Sequence, residues 1–181
     1  MARHFKLTAD GGSRGNPGPA GYGAVVTENG KIVAELFDVI GVATNNVAEY
    51  NGLLAGLSHI HQLDKEATVE VAMDSKLVVE QMSGRWQIKH ADMRDLAKQC
   101  RDAHTPSLVT YSWIPRDDNS HADRLANKAL DGGSAHKPAA VIQQNYLTDR
   151  LRSTEIPTFI YFVRHGETVL TPTRKFSGTG A

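Results

Sequence analysis

The sequence predicts an α/β protein with a mixed five-stranded sheet, three antiparallel strands followed by two parallel ones, flanked by helices. Residues 1–43 contain three strand-like segments joined by short turns, which is typical of an antiparallel meander. Residues 44–130 then alternate helical and strand-like patterns, which is typical of parallel strands connected by helices. We expect these segments to form one domain over residues 1–132.

The first three strands are indicated by alternation of apolar residues and by turn residues. Phe5 and Leu7 fall on one face of the opening strand, which ends at Asp10 before a glycine-rich turn. Asn29-Gly30 is a strong signal for a two-residue hairpin, so the segments on either side of it pair antiparallel. The predicted strands cover residues 5–9, 23–27 and 31–43.

The helices are indicated by capping residues and apolar stripes. Thr44 or Asn45 is a suitable N-cap for the first helix, whose apolar residues recur at helical spacing. Ser120 and Asp123 match a capping box at the start of the last helix. The predicted elements after residue 43 are helices over 44–63, 75–82, 93–103 and 120–130 and strands over 68–73 and 108–114.

Composition indicates a globular protein without disulfides. The 181 residues are 40% hydrophobic and 22% charged, and no apolar run approaches the ~20 residues that span a bilayer. The N-terminus enters a predicted strand without a signal-peptide pattern, and the single cysteine, Cys100, fits a reducing compartment, so we expect a cytoplasmic protein. Because the net charge is zero, any affinity for nucleic acid must come from local charges and should be modest and salt-sensitive.

Four acidic residues stand where a metal site could form. Asp10 and Asp74 follow predicted strands whose carboxyl ends meet at one edge of the sheet, while Glu49 and Asp123 lie near helix starts. Each acid also has an ordinary structural explanation, as a turn residue, a helix-dipole partner or an N-cap. Four carboxylates at one place would repel one another without a divalent cation such as Mg²⁺, so the set predicts a metal site.

The segments around these acids resemble the motifs of the type 1 ribonucleases H. They occupy residues 10–18, 44–49, 73–75 and 119–126 and follow the family's order. The resemblance covers residues 1–132 and implies a ribonuclease H-like fold. It also implies a hydrolase that cuts the RNA strand of RNA–DNA hybrids endonucleolytically and leaves 5′-phosphate ends.

The resemblance further implies a two-metal mechanism that uses two Mg²⁺ ions, with Mn²⁺ as a substitute. Asp10 would bridge both ions, Glu49 and Asp74 would complete one ion's site, and Asp123 would support the side of the attacking water. These four acids are therefore the implied catalytic and metal-binding residues. The implied substrate contacts are Gly11, Gly12, Asn16, Thr44, Asn45 and Lys76.

The chain departs from many relatives at three places. Lys76 stands where many of them carry glutamine, and it could contact a phosphate instead. The segment 84–90 is short where some bacterial members have a basic, Trp-rich protrusion, so Trp86 is either a contact to the DNA strand or a packed surface residue. The mobile histidine that often assists product release has no clear counterpart, and Arg116 and His121 are the candidates for that role.

A second motif follows the predicted domain. Residues 133–156 are interpreted as a linker, and residues 163–168, Val-Arg-His-Gly-Glu-Thr, resemble the phospho-acceptor motif of the histidine phosphatases. Residues 157–181 are too few to complete such a site or to bury a core of their own. The chain is interpreted as the N-terminal part of a bifunctional ribonuclease H/acid phosphatase of the kind found in some actinobacteria, with an inactive start of the phosphatase domain.

Three other functions are compatible with parts of the sequence. The first is a hybrid-binding module without catalysis, and the second is a transposase- or resolvase-like DNA nuclease, against which Thr44, Asn45 and Asn46 argue. The third is a phosphatase with a regulatory N-terminal domain, which would need site residues that do not follow residue 168. We expect a monomer that binds an RNA–DNA hybrid and no membrane.

Overall fold

The computed structural model describes residues 3–132, and the expected linker and phosphatase segment lie outside that range. The strands are β1 (His4–Ser13), β2 (Gly18–Glu28), β3 (Lys31–Ala43), β4 (Thr68–Met73) and β5 (Val109–Trp113). The helices are α1 (Asn45–Leu63), α2 (Lys76–Met82), α3 (Ala91–Ala103) and α4 (Ser120–Leu130). Short 3-10 turns lie at Pro106–Leu108 and Arg116–Asn119.

The five strands form one mixed sheet in the order β3-β2-β1-β4-β5. The three N-terminal strands pair antiparallel, whereas β1 with β4 and β4 with β5 pair in parallel. The predicted mixed sheet is therefore confirmed. Because β1 and β4 are parallel neighbours, the residues that follow their last shared pair, Thr8 with Ala72, lie at the same edge of the sheet.

Apolar side chains cover both faces of this sheet. The main core fills the space between the sheet and the helices α1, α2 and α3, and Phe5, Leu7, Tyr50 and Leu57 are fully buried in it. A smaller cluster packs α4 on the other face through Val25, Phe37, Leu125 and Ala129. None of the helices in residues 3–132 has the length and apolar character needed to cross a membrane.

Two glycines allow helices to approach the strands more closely than a side chain would permit. A Cβ atom added at Gly11 would meet the peptide bond that joins Ala48 to Glu49, and would lie only 2.7 Å from the Cβ of Ala48. A Cβ atom at Gly23, which pairs with Asp10 across β1 and β2, would lie 2.6 Å from the backbone nitrogen of Ala126 in α4. Both helices that carry predicted site acids are therefore held directly against the strands.

Several element boundaries differ from the prediction. β1 continues beyond Asp10 to Ser13, because the residues after the acid pair with residues 20–22 of β2, so the glycine-rich turn is shorter than expected. α3 begins at Ala91 rather than Met93, and Arg94 donates to the carbonyl of Lys89 in the segment before it. β5 is shorter than predicted by a residue at each end.

Candidate active site

The four predicted acids approach one edge of the sheet from four different elements. Asp10 lies in β1 beyond its last pairing with β4, and Asp74 directly follows β4. Glu49 lies in the second turn of α1 and Asp123 in the first turn of α4. The expectation that Asp10 ends its strand was wrong on the β2 side, where pairing continues, but it holds on the β4 side.

Asp10 is the most enclosed of these acids, with 8% of its surface exposed. The backbone N–H of Gly11 donates to its Oδ1 at 2.8 Å. Burial raises the pKa of Asp10 to about 6, and the negative charges of Asp74 and Asp123 raise it further against the lowering effects of the Gly11 N–H and Arg116. The carboxyl group of Asp10 therefore lies in a field dominated by other acids.

Glu49 is held by the residue that caps the next helix. The hydroxyl of Ser75 donates to Glu49 Oε2 at 2.6 Å and accepts from the backbone N–H of Val78, the capping bond of α2. Burial raises the pKa of Glu49 to about 7, the Ser75 hydrogen bond lowers it, and the charges of Asp10 and Asp74 raise it. Ser75 therefore joins the Glu49 helix to the segment that carries Asp74.

Asn119 links the two strand ends of the site. Its side-chain nitrogen Nδ2 donates to the carbonyl oxygen of Ala9 at 2.9 Å and to Asp74 Oδ1 at 2.6 Å. Asn119 is 1% exposed, and its Oδ1 has no hydrogen-bond partner among the described residues. Sequence reasoning placed Asn119 inside a motif but gave it no function, although an amide four residues before Asp123 was the available signal.

Asp123 accepts hydrogen bonds from Arg116 and Asn127 rather than serving as part of a cap. Arg116 Nη2 donates to its Oδ1 at 3.0 Å and Asn127 Nδ2 to its Oδ2 at 3.1 Å. The predicted capping box is wrong, since the N-cap of α4 is Asn119, whose side chain makes no capping bond. The bond to Asp123 raises the pKa of Arg116 above its ordinary value, and the charges of Asp123, Asp10 and Asp74 add to the effect.

The two candidates for a product-release role have different surroundings. Arg116 is exposed and contacts Asp123, so it lies beside the acids. His121 Nε2 lies 2.7 Å from Glu35 Oε1 in β3, which gives the imidazole a partner outside the set of acids. The structure therefore brings Arg116, and not His121, into contact with a predicted catalytic residue.

The predicted substrate-contact residues surround the same edge of the sheet. Asn45 accepts from the backbone N–H of Ser13 at 2.8 Å, and its own N–H donates to Asn16 Oδ1 at 3.3 Å, so the β1–β2 loop is tied to the start of α1. Thr44 is the N-cap of α1 and accepts from the N–H of Val47, as predicted. The remaining members of the set lie in β1 and at the start of α2: Gly11, Gly12 and Lys76.

The segment before α3 contains Trp86, which the sequence analysis considered as a contact to the DNA strand, and two basic residues beside it. Trp86 is 47% exposed, so about half of its surface is accessible to solvent. Arg85 forms an ion pair with Glu80, so its charge is partly offset within the protein. Lys89 is exposed, and its carbonyl accepts from Arg94.

The donor chemistry of the four acids fits a hard divalent cation. Carboxylate oxygens are the ligands that Mg²⁺ prefers. Burial is the main cause of the raised pKa values of Asp10 and Glu49, the charges of neighbouring acids add to it, and a bound cation would favour the ionised carboxylates against both effects. Over residues 3–132, no three acid, histidine or cysteine side chains stand close enough to ligate one ion as they are arranged. Each of the four carboxylates accepts a hydrogen bond from a different residue: Gly11, Ser75, Asn119 or Arg116. An ion bound here would compete with these donors.

Comparison with known proteins identifies the family. A family model described as reverse transcriptase-like matches residues 8–129. The ribonuclease H of Mesorhizobium japonicum is 31% identical over 180 residues, which cover 86% of this chain and 99% of that protein. The chain belongs to the ribonuclease H family. The ribonuclease HI of Halobacterium salinarum is 44% identical over 124 residues, or 67% of this chain and 62% of that protein.

Solved structures of the ribonuclease H family confirm the predicted fold. The N-terminal RNase H domain of Rv2228c from Mycobacterium tuberculosis, solved as a fusion with maltose-binding protein, is 51% identical, with a TM-score of 0.68 over 72% of this chain and 96% of that one. LC11-RNase H1 in complex with an RNA/DNA hybrid is 36% identical, with a TM-score of 0.66 over 71% of this chain and 97% of that one.

The relation to a bifunctional protein is also confirmed. The bifunctional protein Rv2228c of M. tuberculosis is 46% identical over 186 residues, which cover 96% of this chain and 50% of that protein. The ribonuclease H-like chain therefore spans about half the length of the first curated relatives it matches.

Proposed function

We propose that the chain is a metal-dependent endonuclease that hydrolyses the RNA strand of RNA–DNA hybrids and leaves 5′-phosphate ends. The observation that carries this proposal is the approach of Asp10, Glu49, Asp74 and Asp123 to one edge of the sheet from four elements. Membership of the ribonuclease H family supports the reaction class, and LC11-RNase H1, 36% identical to this chain, was solved with an RNA/DNA hybrid.

The four acids would hold two divalent ions, Mg²⁺ or Mn²⁺ in its place. Bound there, the ions would activate the attacking water and stabilise charge on the leaving 3′-oxygen. The protein's own part is to bring the carboxylates together and to hold their positions against their mutual repulsion. Ser75 fixes Glu49, and Asn119 fixes the carboxylate of Asp74 relative to the β1 backbone next to Asp10.

Arg116 supplies a cation that does not depend on metal. Its guanidinium is exposed on one side and bonded to Asp123 on the other. A phosphate that enters the site would meet this charge. A guanidinium has several N–H donors in a fixed geometry, so it can hold the carboxylate and the phosphate at the same time. We propose that Arg116 orients the phosphate or assists departure of the product.

The residues at the start of α1 would recognise the substrate. Asn16 and Asn45 are exposed and adjacent, and their amide groups suit the 2′-hydroxyl and base edges of a wide minor groove. Thr44 would face a phosphate of the DNA strand, and Lys76, exposed at the first position of α2, would contact a further phosphate. Turn and capping bonds of these residues would preorganise the contacts.

The reaction is tested by incubating a labelled RNA–DNA hybrid with the protein and Mg²⁺, Mn²⁺ or EDTA, beside RNA–RNA and DNA–DNA duplexes. Metal-dependent cleavage of the RNA in the hybrid alone is the expected result. Failure to cut with either metal, while the circular dichroism spectrum shows a folded domain, would refute the enzymatic function and leave a hybrid-binding module.

The assignment of the acids is tested separately with a charge-matched control. The double variant Asp10→Asn/Asp74→Asn should lose cleavage and keep hybrid binding. The double variant Asp92→Asn/Asp95→Asn removes two exposed acids of α3 and should cut normally. Equal loss in both variants would show that net charge, and not the proposed site, governs activity.

We also propose a monomeric, cytoplasmic protein. Cys100 is free and buried, and burial raises the pKa of its thiol, which suits a structural rather than a redox-active cysteine. A phosphatase activity is proposed only for longer proteins that contain a complete second domain.

A further inference from the structure

Trp113 is a large aromatic side chain with an unusual position at the last residue of β5. It is 52% exposed, although tryptophan is among the residues that gain most from burial. Its only polar atom, Nε1, donates to the backbone carbonyl of Asp74 at 3.0 Å. The indole is therefore fixed in direction by the backbone of a predicted catalytic acid while about half of its surface remains in solvent.

The sheet places this indole at the edge where the acids meet. Trp113 pairs with Met73 in the parallel register of β5 and β4, and the N–H of Ile114 donates to the carbonyl of Met73 at 3.0 Å. Trp113 and Tyr111 lie on the same face of β5, because side chains alternate along a strand, and Tyr111 packs against the main core. The helix α1, which carries Glu49, contributes buried residues to the same core.

Two exposed cations lie close in sequence to Trp113 or to Asp74, whose carbonyl it contacts. Lys76 comes two residues after Asp74, and Arg116 comes three residues after Trp113. β5 is an edge strand of the described sheet, so no further strand covers it. Exposed aromatic rings and positive charges are the combination that proteins use to hold a nucleotide by its ring or sugar and its phosphate together.

We propose that Trp113 is a substrate-positioning residue whose indole face packs against a nucleotide of the bound nucleic acid beside the cleaved phosphate. The inference rests on the proposed function and adds a contact on the β5 side of the site, opposite the Asn16 and Asn45 side. Because the Nε1 hydrogen bond already restricts the indole, little side-chain entropy is lost when the nucleotide binds.

The direct test uses tryptophan fluorescence. The chain has two tryptophans, so Trp86→Phe leaves Trp113 as the sole emitter. In that variant, made non-cleaving by Asp10→Asn, we expect titration with hybrid in Mg²⁺ to change Trp113 emission. The change should saturate at the hybrid concentration at which anisotropy of a labelled hybrid saturates.

Substitution separates contact from internal support of Asp74. Trp113→Ala should weaken hybrid binding about tenfold, the change expected for loss of a well-packed aromatic contact. Trp113→Phe keeps an aromatic ring but loses the N–H donor, and should bind within about twofold of the parent. Val39→Ala truncates an equally exposed apolar residue on the opposite edge strand and should leave binding unchanged.

The outcomes distinguish this inference from the function on which it rests. Hybrid binding by anisotropy with constant Trp113 emission, and an unchanged Kd for Trp113→Ala, would overturn the contact and leave the ribonuclease proposal intact. Equal loss of cleavage in the Phe and Ala variants at unchanged Kd would show that Trp113 acts only through its bond to Asp74, and would also overturn it. Absence of both hybrid binding and cleavage in the parent chain would refute both proposals.

Discussion

Replacing Gly11 with alanine should damage both stability and catalysis, because this glycine permits the contact between β1 and α1. The added Cβ would lie within 3.0 Å of the Ala48–Glu49 peptide bond and 2.7 Å from the Ala48 Cβ, and the backbone of α1 cannot turn away as a side chain would. Overpacking of this kind costs about 1–3 kcal/mol, and the rigid neighbours favour about 3 kcal/mol. Relief of the clash must move the helix that positions Glu49.

Urea unfolding followed by circular dichroism measures the first effect. With a slope of about 2 kcal/mol/M, a loss of about 3 kcal/mol lowers the midpoint by about 1.5 M. Gly12→Ala is the matched control, since its Cβ would find Leu130 at an ordinary 3.8 Å and its backbone needs no positive φ. A midpoint for Gly11→Ala that equals that of Gly12→Ala would refute the claim that close approach, rather than loop flexibility, explains Gly11.

Other variants probe the groups that hold the acids. Asn119→Ala should destabilise the fold by about 1–3 kcal/mol, because the Asp74 carboxylate and the Ala9 carbonyl lose their buried donor; urea unfolding measures this, and a neutral result would contradict it. In EDTA, the free energy of unfolding of the parent should fall by on the order of 2 kcal/mol as pH rises from about 5 to 8, because burial raises the pKa of folded Glu49 to about 7 and the native carboxyl keeps a proton that the unfolded chain releases. The Glu49→Gln variant should lack this fall. A parallel pH profile in the parent and the variant would contradict that sign. Ser75→Ala should destabilise the fold by about 1 kcal/mol through loss of the α2 cap. It should also raise the pKa of Glu49 further, since the Ser75 hydrogen bond lowers that pKa, and an unchanged pH profile of cleavage would argue against this second effect. Arg116→Ala should lower kcat, with partial recovery in Arg116→Lys; equal activity of the Ala and Lys variants would show that the charge is not used.

The features that the sequence predicted well are those encoded by neighbouring residues. Alternation along β1, the Asn29-Gly30 hairpin and the Thr44 cap each depend on a few consecutive positions, and each is found in the structure. The approach of Asp10 and Asp74 followed from one topological rule, that parallel strands present their carboxyl ends at the same edge. Glu49 and Asp123 were selected because they accompany these two acids in motifs that resemble those of the family, and the roles of all four remain predictions.

The features that escaped prediction depend on partners that no short sequence pattern specifies. The bonds of Asn119 to Ala9 and Asp74 cross 110 and 45 positions, so no local pattern reveals them. Asp123 matched a capping box locally, but Arg116 supplies a stronger, charged partner and the cap does not form. Trp113 belongs to no sequence motif, and its hydrogen bond to the carbonyl of Asp74 is visible only in the structure.

The hydrogen bonds of Asn119 to residues far away in the sequence have a consequence for when the site can assemble during synthesis. During synthesis β1 is made first and α4 last among these elements. The side-chain amide of Asn119, which joins Ala9 to Asp74, is made only just before α4. A nascent chain of which residues 3–113 have been made contains all five strands that the structure describes, but it lacks both this connection and Asp123. Because Asn119 and Asp123 both lie in this last part of the domain, we expect a chain that stops before residue 119 to lack the assembled site and to leave an RNA–DNA hybrid uncut.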